Sequence, residues 1–295
     1  VALGLIMESK LLNLAINGDR RSLGKILTKI ESGFEPNISV QKPWTLGVTG
    51  PPGAGKSTLI GALISRWIKK GEKIAVLAVD PSSPKSGGAL LADRIRMQGS
   101  EKSESIFIRS IASRNHPGGL SLFIGHMINV LSASGWSKII IETVGSGQSQ
   151  TRIVAFADLI LLVEGPDRGD IIQAEKAGIL ELADIVTVNK SDIPNSKLAY
   201  DSLNSSLSLD KNNSTITHLV SALNGDGIDD LLSTIDEFPK SSEREILRQK
   251  ERLLSFWDAR LLNYDGLNEL LADLSTGSIT LHEAADIIDK ALTRK

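Results

Sequence analysis

"WTLGVTGPPGAGKST", Trp44–Thr58, decides the fold. A short apolar and β-branched run ends at Thr49, a glycine- and proline-rich turn follows, and Lys56-Ser57-Thr58 open a helical segment. Strand, turn, helix is the context that a phosphate-binding P-loop requires. Gly50, Pro51, Pro52, Gly53, Ala54 and Gly55 carry little side-chain bulk, so backbone N–H groups can converge on phosphate oxygens with a helix N-terminus behind them. Lys56 supplies a point charge for the β- and γ-phosphates, Ser57 offers a hydroxyl to Mg²⁺, and Thr58 completes the pattern.

Outward from this stretch the strand–helix alternation continues. "KIAVLAVD", "SIFIRS", "KIIIET", "LILLVEG", "ADIVTVNK" and "STITHLVSA" are short apolar runs, with helix-length segments such as 55–70, 118–135, 168–182 and 224–236 between them. Nearly continuous apolar strands indicate burial on both faces. The expected fold is α/β: a P-loop NTPase whose mostly parallel sheet is covered by helices on both faces, with helical N- and C-terminal extensions. Residues 1–40 form the N-terminal helical segment, split at Asn17-Gly18; Met7 reads as the natural start. Residues 41–240 form the P-loop domain. Residues 241–295 form a helical arm with capping boxes at Ser242/Glu245 and Thr280/Glu283. Leu247, Leu254, Trp257 and Leu261 of that arm fall on one helical face, which packs back on the domain or meets a second chain.

Two further motifs lie at strand ends. "IIETVGSGQSQ" stops a buried strand on Glu142, where P-loop enzymes place an acid that holds the Mg²⁺ shell. Gly145 then presents an N–H to a γ-phosphate, on a turn able to relax once that phosphate leaves. "NKSD" ends a later strand. Asn189 faces a base edge, Lys190 lies along the base plane, and the Asp192 carboxylate accepts two N–H groups, which guanine offers and adenine does not. Ser221, Ala222 and Leu223 of "VSALNG" then supply backbone contacts to the guanine carbonyl. Asp80 closes a strand at the same carboxyl edge, and Asp93 follows a glycine-containing loop toward the phosphates. The ligands expected are GTP or GDP with Mg²⁺.

Composition narrows the field. The 295 residues carry a net charge of −2, which exerts no broad pull on nucleic acid or anionic membrane. No apolar run approaches the ~20 residues of a membrane span. With no cysteine and four scattered histidines, no thiolate or histidine metal cluster is written into the chain. A cytoplasmic globular protein is expected.

Together "GPPGAGKST", "LAVDPSSPKSGGALLADRIRM", "FIRS", "ETVGSGQS", "AGILELADIVTVNKSD" and "SALNGDG" resemble the methylmalonyl-CoA mutase-associated GTPases, the MeaB/ArgK-type proteins. The resemblance implies a GTP-hydrolysing chaperone that gates adenosylcobalamin delivery to methylmalonyl-CoA mutase, or a related cobalamin-dependent acyl-CoA mutase, and protects that enzyme. It implies a homodimer joined through residues 241–295, and it admits a cobalamin adenosyltransferase as a further partner. By motif position it assigns Lys56, Asp93 and Glu142 to catalysis, and Ser57, Asp80 and Glu142 to the metal. Asp170 and Lys176 fall on a loop that signals to the mutase. The chain departs from the family at Ser146 and Gln150, and in "EGPDRGD" with Glu164 and Arg168, where a partner signal would be relayed. The competing readings are a metallochaperone GTPase for metalloenzyme assembly and a P-loop protein kinase.

Overall fold

The computed structural model describes residues 2–38, 44–80, 104–112, 123–143, 153, 155–166, 180, 182–209, 215–239, 242–262 and 264–293. Among them, seven strands form one sheet: β1 (Trp44–Thr49), β2 (Ile74–Asp80), β3 (Ile106–Ala112), β4 (Lys138–Thr143), β5 (Leu159–Glu164), β6 (Ile185–Val188) and β7 (Ile216–Leu219). Their order is β3-β2-β4-β1-β5-β6-β7, and every neighbouring pair is parallel. Strand β1 is central, between β4 and β5. The chain leaves it toward one side of the sheet first and the other side later, which opens a crevice at the carboxyl ends of the strands.

Helices cover both faces, which is why the strands read as unbroken apolar runs. On one face, Leu59, Leu63 and Trp67 of α3 (Lys56–Lys69) and Leu231 and Ile235 of α6 (Ile228–Glu237) pack on Leu46, Val48, Val76 and Leu161. On the other, Met127 and Leu131 of α4 (Phe123–Ala133) and Leu203 and Leu207 of α5 (Ser196–Leu207) share a layer with Ile139 and Ile141. Each aliphatic side chain fully buried in these layers stabilises the fold by about 1.5–3 kcal/mol.

The N-terminal hairpin joins the second layer. Helix α1 (Ala2–Ile16) ends before Asn17-Gly18, and Asp19 caps α2 (Arg20–Glu31) by accepting from the Arg21 and Ser22 N–H groups. The 3–4 spacing puts Leu23, Ile26, Leu27 and Ile30 on one buried face. Arg20 lies over the Phe107 and Trp136 rings and donates to the Ile106 carbonyl, fastening the hairpin to β3.

A polar cluster pins the amino edge of the sheet. Asp236 of α6 accepts from Trp67 Nε1 at 2.9 Å, Lys70 Nζ at 2.9 Å and Lys138 Nζ at 3.0 Å. Lys138 Nζ also sits 4.5 Å from the Trp44 ring centroid. Partial burial opposes ionisation of Asp236, but its three donors outweigh that and hold its pKa below the usual carboxylate value. The C-terminal ends of α3 and α6 are thereby fixed at this edge, and their N-termini face the opposite one.

After Pro239 come α7 (Ser242–Leu262), α8 (Leu267–Thr276) and α9 (Leu281–Thr293). The Thr280/Glu283 capping box forms: the Thr280 N–H donates to Glu283 Oε2 at 2.8 Å, and the Glu283 N–H to Thr280 Oγ1 at 3.3 Å. The side chains of the Ser242/Glu245 box lie outside the described residues. The apolar stripe of α7 divides. Leu247 packs on the core, whereas Leu254 and Trp257 are exposed, Trp257 at 46%.

One detail differs from the sequence pattern. Strand β7 stops at Leu219, since Val220 and Ser221 already turn toward the site. Helix α5 buries Leu203 and Leu207 with Ala199 and Tyr200 packed on the same layer, at helical spacing. Most of the helix expected over 168–182 lies outside the described residues.

Candidate functional site

The P-loop bends because its glycines permit it. Gly50 has φ 141° and Gly55 φ 89°, in the left-handed half of backbone space that side chains disfavour. A Cβ on Gly50 would lie 2.1 Å from the Val163 carbonyl oxygen, and one on Gly55 2.4 Å from Asn189 Nδ2. Lys56, only 7% exposed, folds its stem back so that Nζ donates to the Gly50 and Pro51 carbonyls at 2.8 and 2.9 Å. Pro52 and Gly53 form the exposed tip, while Pro51 and Ala54 are buried beneath it. Helix α3 starts at Gly55 without a side-chain cap. Its first N–H groups, with the helix dipole, suit an anion.

The second corner lies beside it. Val48 pairs with Glu142 across β1 and β4, which brings the end of β4 next to the start of the P-loop. Ser57 Oγ donates to Glu142 Oε1 at 2.8 Å, and Glu142 is 3% exposed. Thr143 Oγ1 donates to Thr49 Oγ1 at 3.0 Å, holding the two strand ends together. A buried carboxylate and a hydroxyl at the mouth of a phosphate cradle are hard oxygen donors, which fit Mg²⁺. Val79 pairs with Thr143, so Asp80 stands one position further along the same edge; its side chain is outside the described residues. Asp93, Gly145, Asp170 and Lys176 also lie outside the described residues. Thr58 is half-buried in the first turn of α3.

The third corner is built where β6 and β7 end. Sequence reasoning puts Asn189 on the base edge; the structure shows a further role for its side chain. The Asn189 carboxamide is 2% exposed and spans two loops. Its Nδ2 donates to the Ala54 carbonyl at 2.9 Å, and its Oδ1 accepts from the Ala222 N–H at 3.0 Å. The amide therefore binds the P-loop to the loop after β7, and both of its ends are engaged. Lys190 takes φ 67°, which costs a non-glycine residue about 1–2 kcal/mol. Asp192 is exposed, and its Oδ1 accepts from the buried Ser221 hydroxyl at 2.5 Å. The Ser221 hydroxyl also accepts from the Asn224 N–H at 3.2 Å, and the Ser191 N–H donates to the Val220 carbonyl at 2.9 Å. Leu223 projects outward, 78% exposed.

Sequence reasoning missed the Asn189 tie and the role of Ser221 as a support for the Asp192 carboxylate. The available signal was adjacency: Val188 pairs with Leu219, so "NKSD" and "VSALNG" leave neighbouring strands at the same level.

A central P-loop strand, an acid at the end of the strand beside it, and a carboxylate corner two strands away define the class: a P-loop nucleoside triphosphatase. The chain belongs to the methylmalonyl-CoA mutase-associated GTPase family, MeaB, whose model matches residues 39–270. It is 44% identical to the Pyrococcus horikoshii protein PH0274 over 202 residues, which cover 66% of this chain and 64% of that one. It is 38% identical to the Pyrococcus abyssi protein PYRAB02490 over 262 residues, 83% and 81% of the two chains. The chain thus spans a little under two thirds of the P. horikoshii relative. The crystal structure of a LAO/AO transport system kinase superposes with a TM-score of 0.66 at 22% identity, covering 98% of each chain, and so shares the fold.

Proposed function

We propose that the protein binds GTP with Mg²⁺, hydrolyses the GTP, and uses the cycle to gate adenosylcobalamin loading and protection of a cobalamin-dependent acyl-CoA mutase, methylmalonyl-CoA mutase or a relative. The observation that carries the nucleotide part is the Ser57–Glu142 pair, 2.8 Å apart at the mouth of the P-loop. The client rests on the description of the family.

Each residue then has a role. Lys56 swings its charge onto the β- and γ-phosphates, and the N–H groups over Gly50–Thr58 cradle them. Ser57 and Glu142, with Asp80, would hold Mg²⁺, which when bound neutralises phosphate charge. The Asp192 carboxylate accepts the N1–H and 2-amino groups of guanine, and Ser221 orients it. Lys190 flanks the base, and Ser221, Ala222 and Leu223 supply backbone beside its carbonyl. Asn189 ties the cradle to the loop after β7 and offers its carboxamide to the base edge. Gly145 and Asp93 complete the γ-phosphate end, and Asp170 and Lys176 relay its state to the mutase. A homodimer forms through residues 241–295, and a cobalamin adenosyltransferase supplies the cofactor.

The test is competition of GTP, GDP, XTP and ATP for the protein, followed by capture of purified methylmalonyl-CoA mutase in the presence of a GTP analogue. Micromolar or tighter guanine-specific binding with analogue-dependent capture is expected. Preference for ATP with phosphotransfer to protein would instead identify a kinase, and guanine binding without capture of the mutase would remove the client.

A further inference from the structure

Gly47, in the middle of the P-loop strand, lies before the phosphate cradle, yet a larger residue there would have to displace its neighbours. A Cβ at Gly47 would lie 2.7 Å from Ile153 Cδ1, 2.8 Å from Ile153 Cγ1 and 2.9 Å from the Ala157 methyl. A glycine inside a strand can mark the close approach of another segment, and here the Ile153 and Ala157 side chains fill the space. Ile153, Ala155 and Ala157 are fully buried. The segment is also bonded along β1. Thr45 Oγ1 donates to the Phe156 carbonyl at 2.8 Å, the Thr45 N–H donates to Asp158 Oδ2 at 2.9 Å, and the Asp158 N–H donates to the Thr45 carbonyl at 2.9 Å. It therefore sits rigidly in a notch on the strand that leads into the P-loop.

The outward side of the same segment is held by the C-terminal arm. Arg252, in the middle of α7, donates from Nε to the Ala155 carbonyl at 2.5 Å across 97 positions of sequence. One helical stretch earlier, Leu247 packs on the same core layer that contains Ile153, Ala155 and Phe156. Around them the arm is apolar and exposed, at Ile246, Leu253, Leu254, Phe256 and Trp257. Arg252 is thus a half-buried polar fastening between the arm and a segment seated on the P-loop strand.

We infer that Arg252 is a coupling residue: through the Ala155 carbonyl and the Gly47 notch it makes the seating of α7 depend on which nucleotide the P-loop holds. The inference rests on the nucleotide reading above and adds a route from that site to the arm. Coupling of this kind is reciprocal, so whatever covers the arm's apolar face also changes the preference between GTP and GDP.

The experiment is hydrogen–deuterium exchange of the full chain with GDP and with a non-hydrolysable GTP analogue, on the wild type and on Arg252→Ala. In the wild type, amides of residues 242–262 should exchange at rates that differ by about fivefold or more between the two nucleotides, the lower end of ordinary coupling. In Arg252→Ala the difference should collapse while both nucleotides still bind as tightly as before within a factor of about two. A purely structural role would raise exchange equally with either nucleotide, and that result overturns the inference, as does a difference that survives the substitution. Equal exchange in the wild type with both nucleotides bound overturns it and leaves the nucleotide site standing. Failure of the wild type to bind either nucleotide overturns the site and the coupling together. Should Arg252→Ala not fold, Arg252→Met carries the same test, because it keeps an apolar stem of similar length and has no N–H donor for the Ala155 carbonyl.

Discussion

Asp192 presents a carboxylate to solvent at the end of β6, with one oxygen fixed by Ser221. A carboxylate only accepts hydrogen bonds, so it suits the paired donors of guanine. Asp192→Asn replaces one acceptor by a donor, which suits xanthine, whose carbonyl stands where guanine has its amino group. The expected outcome is a preference reversed from GTP to XTP, with discrimination of up to ~10⁴ in either direction because mismatched polar groups are left unpaired. Competition binding of GTP, XTP and ATP to both proteins checks it; retention of GTP preference would show that Asp192 does not read the base. A second residue reports on pH. His218 in β7 pairs in register with Thr187, and neither His218 Nε2 nor Thr187 Oγ1 has a hydrogen-bond partner among the described residues. Burial lowers the His218 pKa below 6.5, although Asp230 pulls the other way. The folded form thus takes up the proton less readily than the unfolded chain does. This contribution to stability is intact above about pH 6.5 and declines as pH falls through that value. Urea midpoints from about pH 8 to about pH 5 should fall for the wild type, and should fall less for His218→Gln, which cannot acquire the charge.

At the scale of elements, the notch at Gly47 makes the sharpest prediction. Gly47→Val forces methyl groups onto Ile153 and Ala157, and overpacking of this kind costs about 1–3 kcal/mol. Denaturant unfolding should show that loss, and Ile153→Ala in the same chain should recover part of it. A double-mutant cycle with no coupling energy would show that the two residues do not share the space. The same element marks how far the sequence could be read. Strand β1, the P-loop and α3 were legible because a local order of strand, glycine turn and helix encodes them. Glu142 was legible from its place at a strand end, and the Val48 pairing brings it beside Ser57. The Asn189 tie was not, since Ala54 lies 135 positions away and no local period records such a partner. Helix α5 was harder to read because its sequence is mostly polar, and a short face of Tyr200, Leu203 and Leu207 alone marks its packing on the sheet.

For the molecule as a whole, the phosphate and base corners lie before Pro239, whereas α7 to α9 carry the exposed Ile246, Leu253, Phe256 and Leu271. Deletion of residues 242–295 should give a monomer that keeps its GTP affinity, because apolar surface of that kind needs a second surface to cover it. Light scattering and nucleotide titration on both forms test this. An unchanged oligomer would place the subunit contact elsewhere. The truncated chain should also melt a few degrees lower, since Leu247 leaves the core and the Ala155 carbonyl loses Arg252. Among the described residues no helix is long and apolar enough to cross a membrane.

The four tryptophans make a built-in optical reporter. Trp44, Trp67 and Trp136 sit at or beside the starts of strands, on the edge opposite the P-loop, with Lys138 against two of their rings and Arg20 against the third. Trp67 and Trp136 are buried and Trp44 is half-buried, all of them remote from the P-loop. Trp257 stands in the arm, half in water, stacked edge-on with Phe256 and under Arg260. Its emission should form the red component of the spectrum, the one that a surface covering the arm shifts most. Replacing Trp257 with Phe should therefore leave a fluorophore set that is silent to assembly and sensitive only to global melting, so the difference between the two proteins isolates the signal of the arm.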